Sequence, residues 1–114
     1  MLCIVLHTVG LYHLGSLCCV HTTVVIQHQF DPDAAVQNID SENLTYFGSF
    51  PPILERILDS AKAHNTKLNS LKMVYGLEGP QNVKRLEKET NARFWTGFGQ
   101  AETSEFVTFC KAAD

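Results

Sequence analysis

Residues 71–96, LKMVYGLEGPQNVKRLEKETNARFWT, contain two apolar runs separated by a glycine-containing loop and a segment that begins with Pro80. The runs at residues 71–75 and 93–96 are short and rich in β-branched and aromatic side chains, which is typical of buried strands. Pro80 suits the first turn of a helix between them. The connection is too long for a hairpin, so this stretch predicts two parallel strands joined by a crossover helix.

The same alternation of strand and helix extends outward from this unit toward both ends of the chain. Further strand-like runs lie at residues 2–6, 22–26, 44–47 and 106–110, and helical patterns lie at residues 9–20, at 49–63 and from Asp31 onward. Asp31 is a good N-cap, and the prolines at 51 and 52 are expected in a first helical turn. The pattern predicts an α/β fold with an open, mainly parallel sheet of about five strands and helices on both faces.

Composition limits the class of protein. The chain has 114 residues, of which 45% are hydrophobic and 18% charged, so one globular domain with its own core is expected. A net charge of −3 argues against nucleic acid as the main partner. Residues 1–30 contain no Asp, Glu, Lys or Arg. Histidines and glycines interrupt this segment too often for a membrane span, and a buried strand, helix and strand is favoured over a signal peptide.

The pattern of cysteines favours free, reduced thiols over a metal site. They stand at positions 3, 18, 19 and 110, without a C-x-x-C pair. Several histidines lie near the first three, so a metal site is an alternative, although zinc ligands usually come as close pairs on turns. Buried thiols in a reducing cytoplasm are the favoured interpretation.

Two segments that follow predicted strands are candidate ligand-binding loops. In open parallel sheets ligands bind at the carboxyl ends of the strands, where residues 75–79 and 96–103 lie. Glycines in both allow a ligand to approach the backbone closely. The second loop adds the ring of Phe98, the carboxylate of Glu102 and the hydroxyl of Thr103, which suit a purine, a magnesium ion and a phosphate. The simpler alternative is that Gly97-Phe98-Gly99 is only a turn and Glu102 only an exposed acid.

Residues 98–103, FGQAET, resemble the Tyr-Gly-x-Thr-Glu motif of the adenylate-forming (AMP-binding) acyl- and aryl-CoA synthetases. Residues 30–33, 44–47, 51–54 and 71–74 resemble, in order, the segments that precede this motif in the family. The resemblance implies part of the large N-terminal domain of that fold. It also implies an enzyme that converts a small-molecule carboxylate and ATP to an acyl-adenylate and then to a thioester with coenzyme A, using Mg²⁺.

The same resemblance implies particular site residues. Phe98 takes the position of the aromatic residue that stacks on adenine, Glu102 that of the magnesium-binding glutamate, and Ala101 replaces a threonine that contacts the α-phosphate. The implied nucleotide-binding residues are Tyr75, Gly76, Leu77, Thr96, Gly97, Phe98, Gly99, Gln100 and Ala101. Residues 6–10 resemble a histidine-containing segment that lines the acyl pocket, which implies His7 and Gly10, with His13 as a rival match; simple packing of both histidines against the sheet is an equal alternative.

The resemblance further implies that residues 1–114 form one partial AMP-binding domain. The family's phosphate loop would precede residue 1, and its C-terminal domain with the catalytic lysine would follow residue 114. We therefore expect an ATP-dependent acyl-CoA synthetase fragment that has no catalytic residue of its own and is inactive alone. The alternatives are a non-catalytic binding or interaction module with the same fold and an unrelated flavodoxin-like nucleotide binder. The uncharged residues 1–30 also predict a homo-oligomer, with a self-covered monomer as the alternative.

Overall fold

The computed structural model describes residues 2–4, 23–103 and 105–112. Its strands are β1 (Leu2–Ile4), β2 (Val25–Gln27), β3 (Tyr46–Ser49), β4 (Met73–Gly76), β5 (Arg93–Gln100) and β6 (Glu105–Lys111). Its helices are α1 (Pro32–Ser41), α2 (Ile53–Ala63) and α3 (Pro80–Glu89), and a short 3₁₀ helix (Ala101–Thr103) joins β5 to β6.

The described strands form one six-stranded sheet in the order β2-β1-β3-β4-β5-β6. Strands β1 to β5 are parallel to one another, and β6 is antiparallel to β5. The prediction of an α/β fold with an open, mainly parallel sheet is therefore confirmed. The first strand is interior, because β1 pairs with both β2 and β3, and the edges of the described sheet are β2 and β6.

The helix starts follow from local chemistry. Asp31 caps α1, since its Oδ1 accepts hydrogen bonds from the backbone N–H groups of Asp33 (2.8 Å) and Ala34 (3.0 Å). By contrast, α2 begins only at Ile53, and the prediction that both prolines lie in its first turn is wrong. A residue that precedes proline is disfavoured in the helical region, which excludes Pro51 from the helix because Pro52 follows it.

The core lies between the sheet and the three described helices, which share one face because α1 packs on α2 and α2 packs on α3. Phe47, Val74 and Phe94 stand side by side in register on β3, β4 and β5, and each is at least 99% buried. The same buried cluster includes apolar residues from all three described helices: Ala35, Val36, Ile39, Leu54, Ile57, Leu58, Ala61 and Leu86. The predicted helix at residues 9–20 lies outside the described residues.

The β5–β6 hairpin differs from the prediction. Strand β5 continues through Gly97, Phe98 and Gly99 instead of turning there, because β6 pairs with it and a register shift between Phe98 and Gly99 absorbs the irregularity. The run at 106–110 is a strand, as predicted. Cys110 is exposed, so the prediction of a buried thiol is wrong at this position, which lies on an edge strand.

Among the described residues, no helix combines the length and the apolar character that a bilayer crossing requires.

Candidate functional site

The carboxyl ends of β3, β4 and β5 bring the two candidate loops together. Tyr75 on β4 pairs with Trp95 on β5, so the residues that follow each of them emerge at the same edge of the sheet. On the other side of β4, Gly76 pairs with Ser49 at the end of β3. Residues 76–79 therefore lie between the end of β3 and the glycine-containing half of β5.

Gly76 marks the closest approach of backbone to backbone at this edge. Its φ is +139°, and a Cβ at this position would collide with the carbonyl oxygen of Ser49. The same oxygen accepts a hydrogen bond from the N–H of Leu77 at 3.2 Å. Only glycine combines this φ with this contact, so the chain turns tightly across the end of β3.

Glu78 is a residue of this loop that the sequence analysis did not select. Its Oε1 accepts a hydrogen bond from Ser49 Oγ at 3.0 Å, and its Oε2 accepts one from Asn82 Nδ2 at 3.2 Å. Ser49 is fully buried and Glu78 is half-buried. The only sequence signal for Glu78 is an acid just before a helix that opens with Gly79-Pro80, where the helix N-terminus favours negative charge.

Tyr75 supports the loop from within the structure instead of offering its ring to a ligand. The side chain is 3% exposed, and the ring stacks on Tyr46 with centroids 5.1 Å apart. A Cβ on Gly48 would collide with the Tyr75 hydroxyl, so the missing side chain at Gly48 makes room for the ring. Farther along this face, Trp95 stacks on Phe109 at 5.3 Å.

Phe98 and Leu77 present apolar side chains at the surface, one from each candidate segment. Phe98 is 67% exposed and Leu77 is 51% exposed. Phe98 lies on a paired strand, where it faces Thr108 of β6 and its N–H donates to Thr108 Oγ1 at 3.3 Å. An aromatic ring on a paired backbone is positioned to stack on a planar ligand with little loss of backbone freedom.

The end of the hairpin carries Glu102, which is exposed. The hydroxyl of Thr103 accepts from the N–H of Gln100 at 3.3 Å and donates to its carbonyl at 3.0 Å, so this side chain holds the hairpin turn. Across the described ranges no three His, Cys, Asp or Glu side chains cluster as metal ligands, and Glu102 offers one carboxylate. His7, Gly10 and His13 lie outside the described residues.

The comparison with known proteins places this arrangement in a family. Residues 4–114 match the family described as AMP-binding enzyme. The chain therefore belongs to the AMP-binding enzymes, the class of the adenylate-forming CoA ligases.

Individual CoA ligases are similar to the chain as well. It is 29% identical over 120 residues to 4-coumarate–CoA ligase 3 of Oryza sativa subsp. japonica, covering 96% of this chain and 22% of that protein. A solved structure from Rhodopseudomonas palustris CGA009, named as a long-chain-fatty-acid CoA ligase, is 38% identical with a TM-score of 0.85, covering 92% of this chain and 26% of the other. The chain thus spans about a quarter of the length of these relatives.

A third similar structure is O-succinylbenzoate coenzyme A synthetase of Bacillus subtilis in complex with AMP. It has a TM-score of 0.79 at 17% identity and covers 96% of this chain and 29% of the other, a likeness that concerns the fold.

Proposed function

We propose that this chain forms the adenine-nucleotide part of the active site of an ATP-dependent acyl-CoA synthetase. In the complete reaction a carboxylate oxygen attacks the α-phosphate of ATP, which releases pyrophosphate and leaves an acyl-adenylate. The thiol of coenzyme A then attacks the acyl carbon, and AMP departs as the thioester forms. Family membership supports the reaction class. The observation that supports the site is the pairing of Tyr75 with Trp95, because the residues that follow each of them then emerge at the same edge of the sheet.

The proposed role of these residues is to hold the adenine end of the nucleotide. Phe98 stacks on the base, and the backbone at Gly76, Gly97 and Gly99 allows the ligand to lie close to the chain. Leu77 adds exposed apolar surface from the neighbouring loop. These residues would hold the nucleotide in a fixed orientation. Fixing one reactant lowers the entropic part of the activation barrier for its reaction with a second one.

Glu102 is the residue that would hold Mg²⁺. A lone exposed carboxylate fits this ion, because magnesium is commonly bound through one or two carboxylates together with substrate phosphates. When bound, the ion would supply positive charge that neutralises the phosphates. Glu102 is therefore expected to influence ATP more than AMP, which carries fewer phosphates.

We propose that the complete reaction needs cationic side chains that the two candidate loops do not contain. Residues 76–79 and 96–103 include no Lys or Arg. Stabilising a departing pyrophosphate depends on cations and positioned donors. We therefore infer that this chain binds nucleotide without turning it over.

Calorimetric titration of the chain with AMP tests the binding role. We expect weak, saturable binding that Phe98→Ala weakens by about 5- to 150-fold, because base–aromatic stacking contributes about 1–3 kcal/mol. Val107→Ala is the matched control, since Val107 is 59% exposed on the partner strand and lies outside the candidate loops. Equal AMP affinity of Phe98→Ala and wild type would remove Phe98 from the site. A wild type that does not bind AMP would support the non-catalytic interaction module instead.

Pyrophosphate release tests the second half of the proposal. The chain is mixed with ATP, Mg²⁺ and a fatty or aromatic acid, and release is compared with the Glu102→Ala variant. We expect no release above that control. Release by the wild type above the control would show that residues 1–114 suffice for adenylation.

A further inference from the structure

Glu78, in the loop that follows β4, connects the end of β3 to the start of α3. Its two carboxylate oxygens accept hydrogen bonds from Ser49 at the end of β3 and from Asn82 in the first turn of α3. We call the Ser49–Glu78–Asn82 contacts the Glu78 bridge. A carboxylate suits this place because it is acceptor-only, and both of its partners donate.

Ser49 restrains the same loop with two different atoms. Its carbonyl oxygen accepts from the N–H of Leu77, and its hydroxyl donates to Glu78. The hydroxyl is completely buried, so losing Glu78 would leave a buried polar group without this partner. The backbone of Gly76 also lies directly against Ser49, because glycine has no side chain to hold the two segments apart.

We propose that Glu78 is a positioning residue of the nucleotide site, one that fixes residues 76–79 before the nucleotide arrives without contacting the nucleotide. This inference rests on the proposed function. A loop that is already ordered loses less conformational entropy on binding, which raises affinity without a new contact.

The first readout is the AMP affinity of bridge variants, measured by calorimetry. Glu78→Ala and Ser49→Ala each weaken binding about 3- to 10-fold. The double variant is no weaker than Glu78→Ala alone, since both changes remove the same hydrogen bond. Glu78→Gln stays within about twofold of wild type, because its amide oxygen still accepts from Ser49 and Asn82 can turn its own amide to match. Glu55→Ala, an exposed acid in the first turn of α2, is the control without effect.

The second readout is amide hydrogen exchange in the absence of nucleotide. Exchange at Leu77, whose N–H bonds to Ser49, rises about tenfold in Glu78→Ala and Ser49→Ala and stays near wild type in Glu78→Gln. Exchange at the buried strand residue Val74 does not change, which separates loop disorder from loss of the fold. If Glu78→Ala fails to fold, Ser49→Ala and Glu78→Gln make the same comparison.

The outcomes separate this inference from the proposed function. Wild-type affinity for AMP in both Glu78→Ala and Ser49→Ala, or unchanged exchange at Leu77 in both, overturns the positioning role and leaves the proposed function intact. A wild-type chain that does not bind AMP overturns the proposed function, and the nucleotide role of Glu78 with it.

Discussion

At the scale of single residues, Gly76 and Gly79 test how tightly the candidate loop is built. A Cβ at Gly76 would collide with the Ser49 carbonyl, whereas one at Gly79 would meet nothing within 4 Å. We expect Gly76→Ala to lower the free energy of unfolding by about 2–3 kcal/mol, because the substitution adds a clash to a strained φ. Gly79→Ala, at the N-cap of α3, should lower it by less than about 1 kcal/mol. Urea denaturation measures both, and equal stability of the two variants would contradict this account of Gly76.

The residues differ in how far the sequence alone could predict them. Asp31 was predictable as an N-cap because its chemistry is local, and the two hydrogen bonds to the first turn of α1 bear this out. The Ser49–Glu78 hydrogen bond was not, because 29 positions separate the two residues and only the pairing of β3 with β4 brings them together. Phe98 was selected both by its place in a glycine-containing segment after a predicted strand and by resemblance, and the structure adds that its ring is exposed on a paired strand.

At the scale of elements, Asp33 links α1 to the C-terminal end of α2. Its Oδ1 accepts a hydrogen bond from Ser60 Oγ and lies 3.3 Å from His64 Nε2. The Ser60 hydrogen bond, followed by that of His64, holds the pKa of Asp33 below its ordinary value of 3.8. Because the folded-state pKa is the lower one, the stabilisation is present above about pH 3.8 and is lost as the pH falls through the folded-state pKa.

This link predicts a shift that carboxyl NMR titration can measure. Ser60→Ala should raise the pKa of Asp33 toward its ordinary value, since the largest cause of the lowering is removed. Ser70→Ala is the control, because Ser70 bonds to the carbonyls of Ile39 and Leu44 and does not contact Asp33. An unchanged Asp33 pKa in Ser60→Ala would show that the hydrogen bond to Ser60 is not formed in solution.

The β5–β6 hairpin makes a separate prediction at this scale. Phe109 stacks on Trp95 and contacts Tyr75 with ring centroids 6.4 Å apart. Phe109→Ala should therefore lower the free energy of unfolding by about 1–2 kcal/mol and shift the emission of Trp95, the chain's single tryptophan. Val107→Ala should change stability by less than about 0.5 kcal/mol, because that side chain is 59% exposed. Urea denaturation followed by tryptophan fluorescence measures the free energy of unfolding of both variants. Equal losses of stability in the two would contradict the stacking account.

The elements also show where local patterns stop being informative. The helical pattern expected within residues 49–63 is present in α2, because helical periodicity is a property of the segment itself. The direction of β6 and the continuation of β5 through Gly97 and Gly99 depend on which strand pairs with which. That choice is made by tertiary contacts, so the strand predicted to end at residue 96, with a loop after it, instead continues to Gln100 as a bulged strand.

At the scale of the whole molecule, the distribution of charge predicts self-association. Residues 1–30 carry no charged side chain, and Ile26 is 56% exposed on β2, an edge of the described sheet. We expect a homodimer or larger species at micromolar concentration, because uncharged edges favour pairing. Sedimentation velocity measures this, and Ile26→Lys should shift the population toward monomer while Val107→Lys on β6 should not. A wild type that sediments as a monomer would contradict the prediction.

The central claim is that an adenine nucleotide binds where residues 76–79 meet the second half of β5. The most direct measurement is a residue-resolved map of amide chemical-shift changes as AMP is added to the ¹⁵N-labelled chain. We predict that the largest changes fall on Gly76, Leu77 and Glu78 and on residues 96–100, and that they saturate together. The absence of saturable changes would contradict the claim. So would changes confined to the open groove of about 320 Å³ near the ends of α2 and α3, which Lys62, Lys67 and Glu89 help to line.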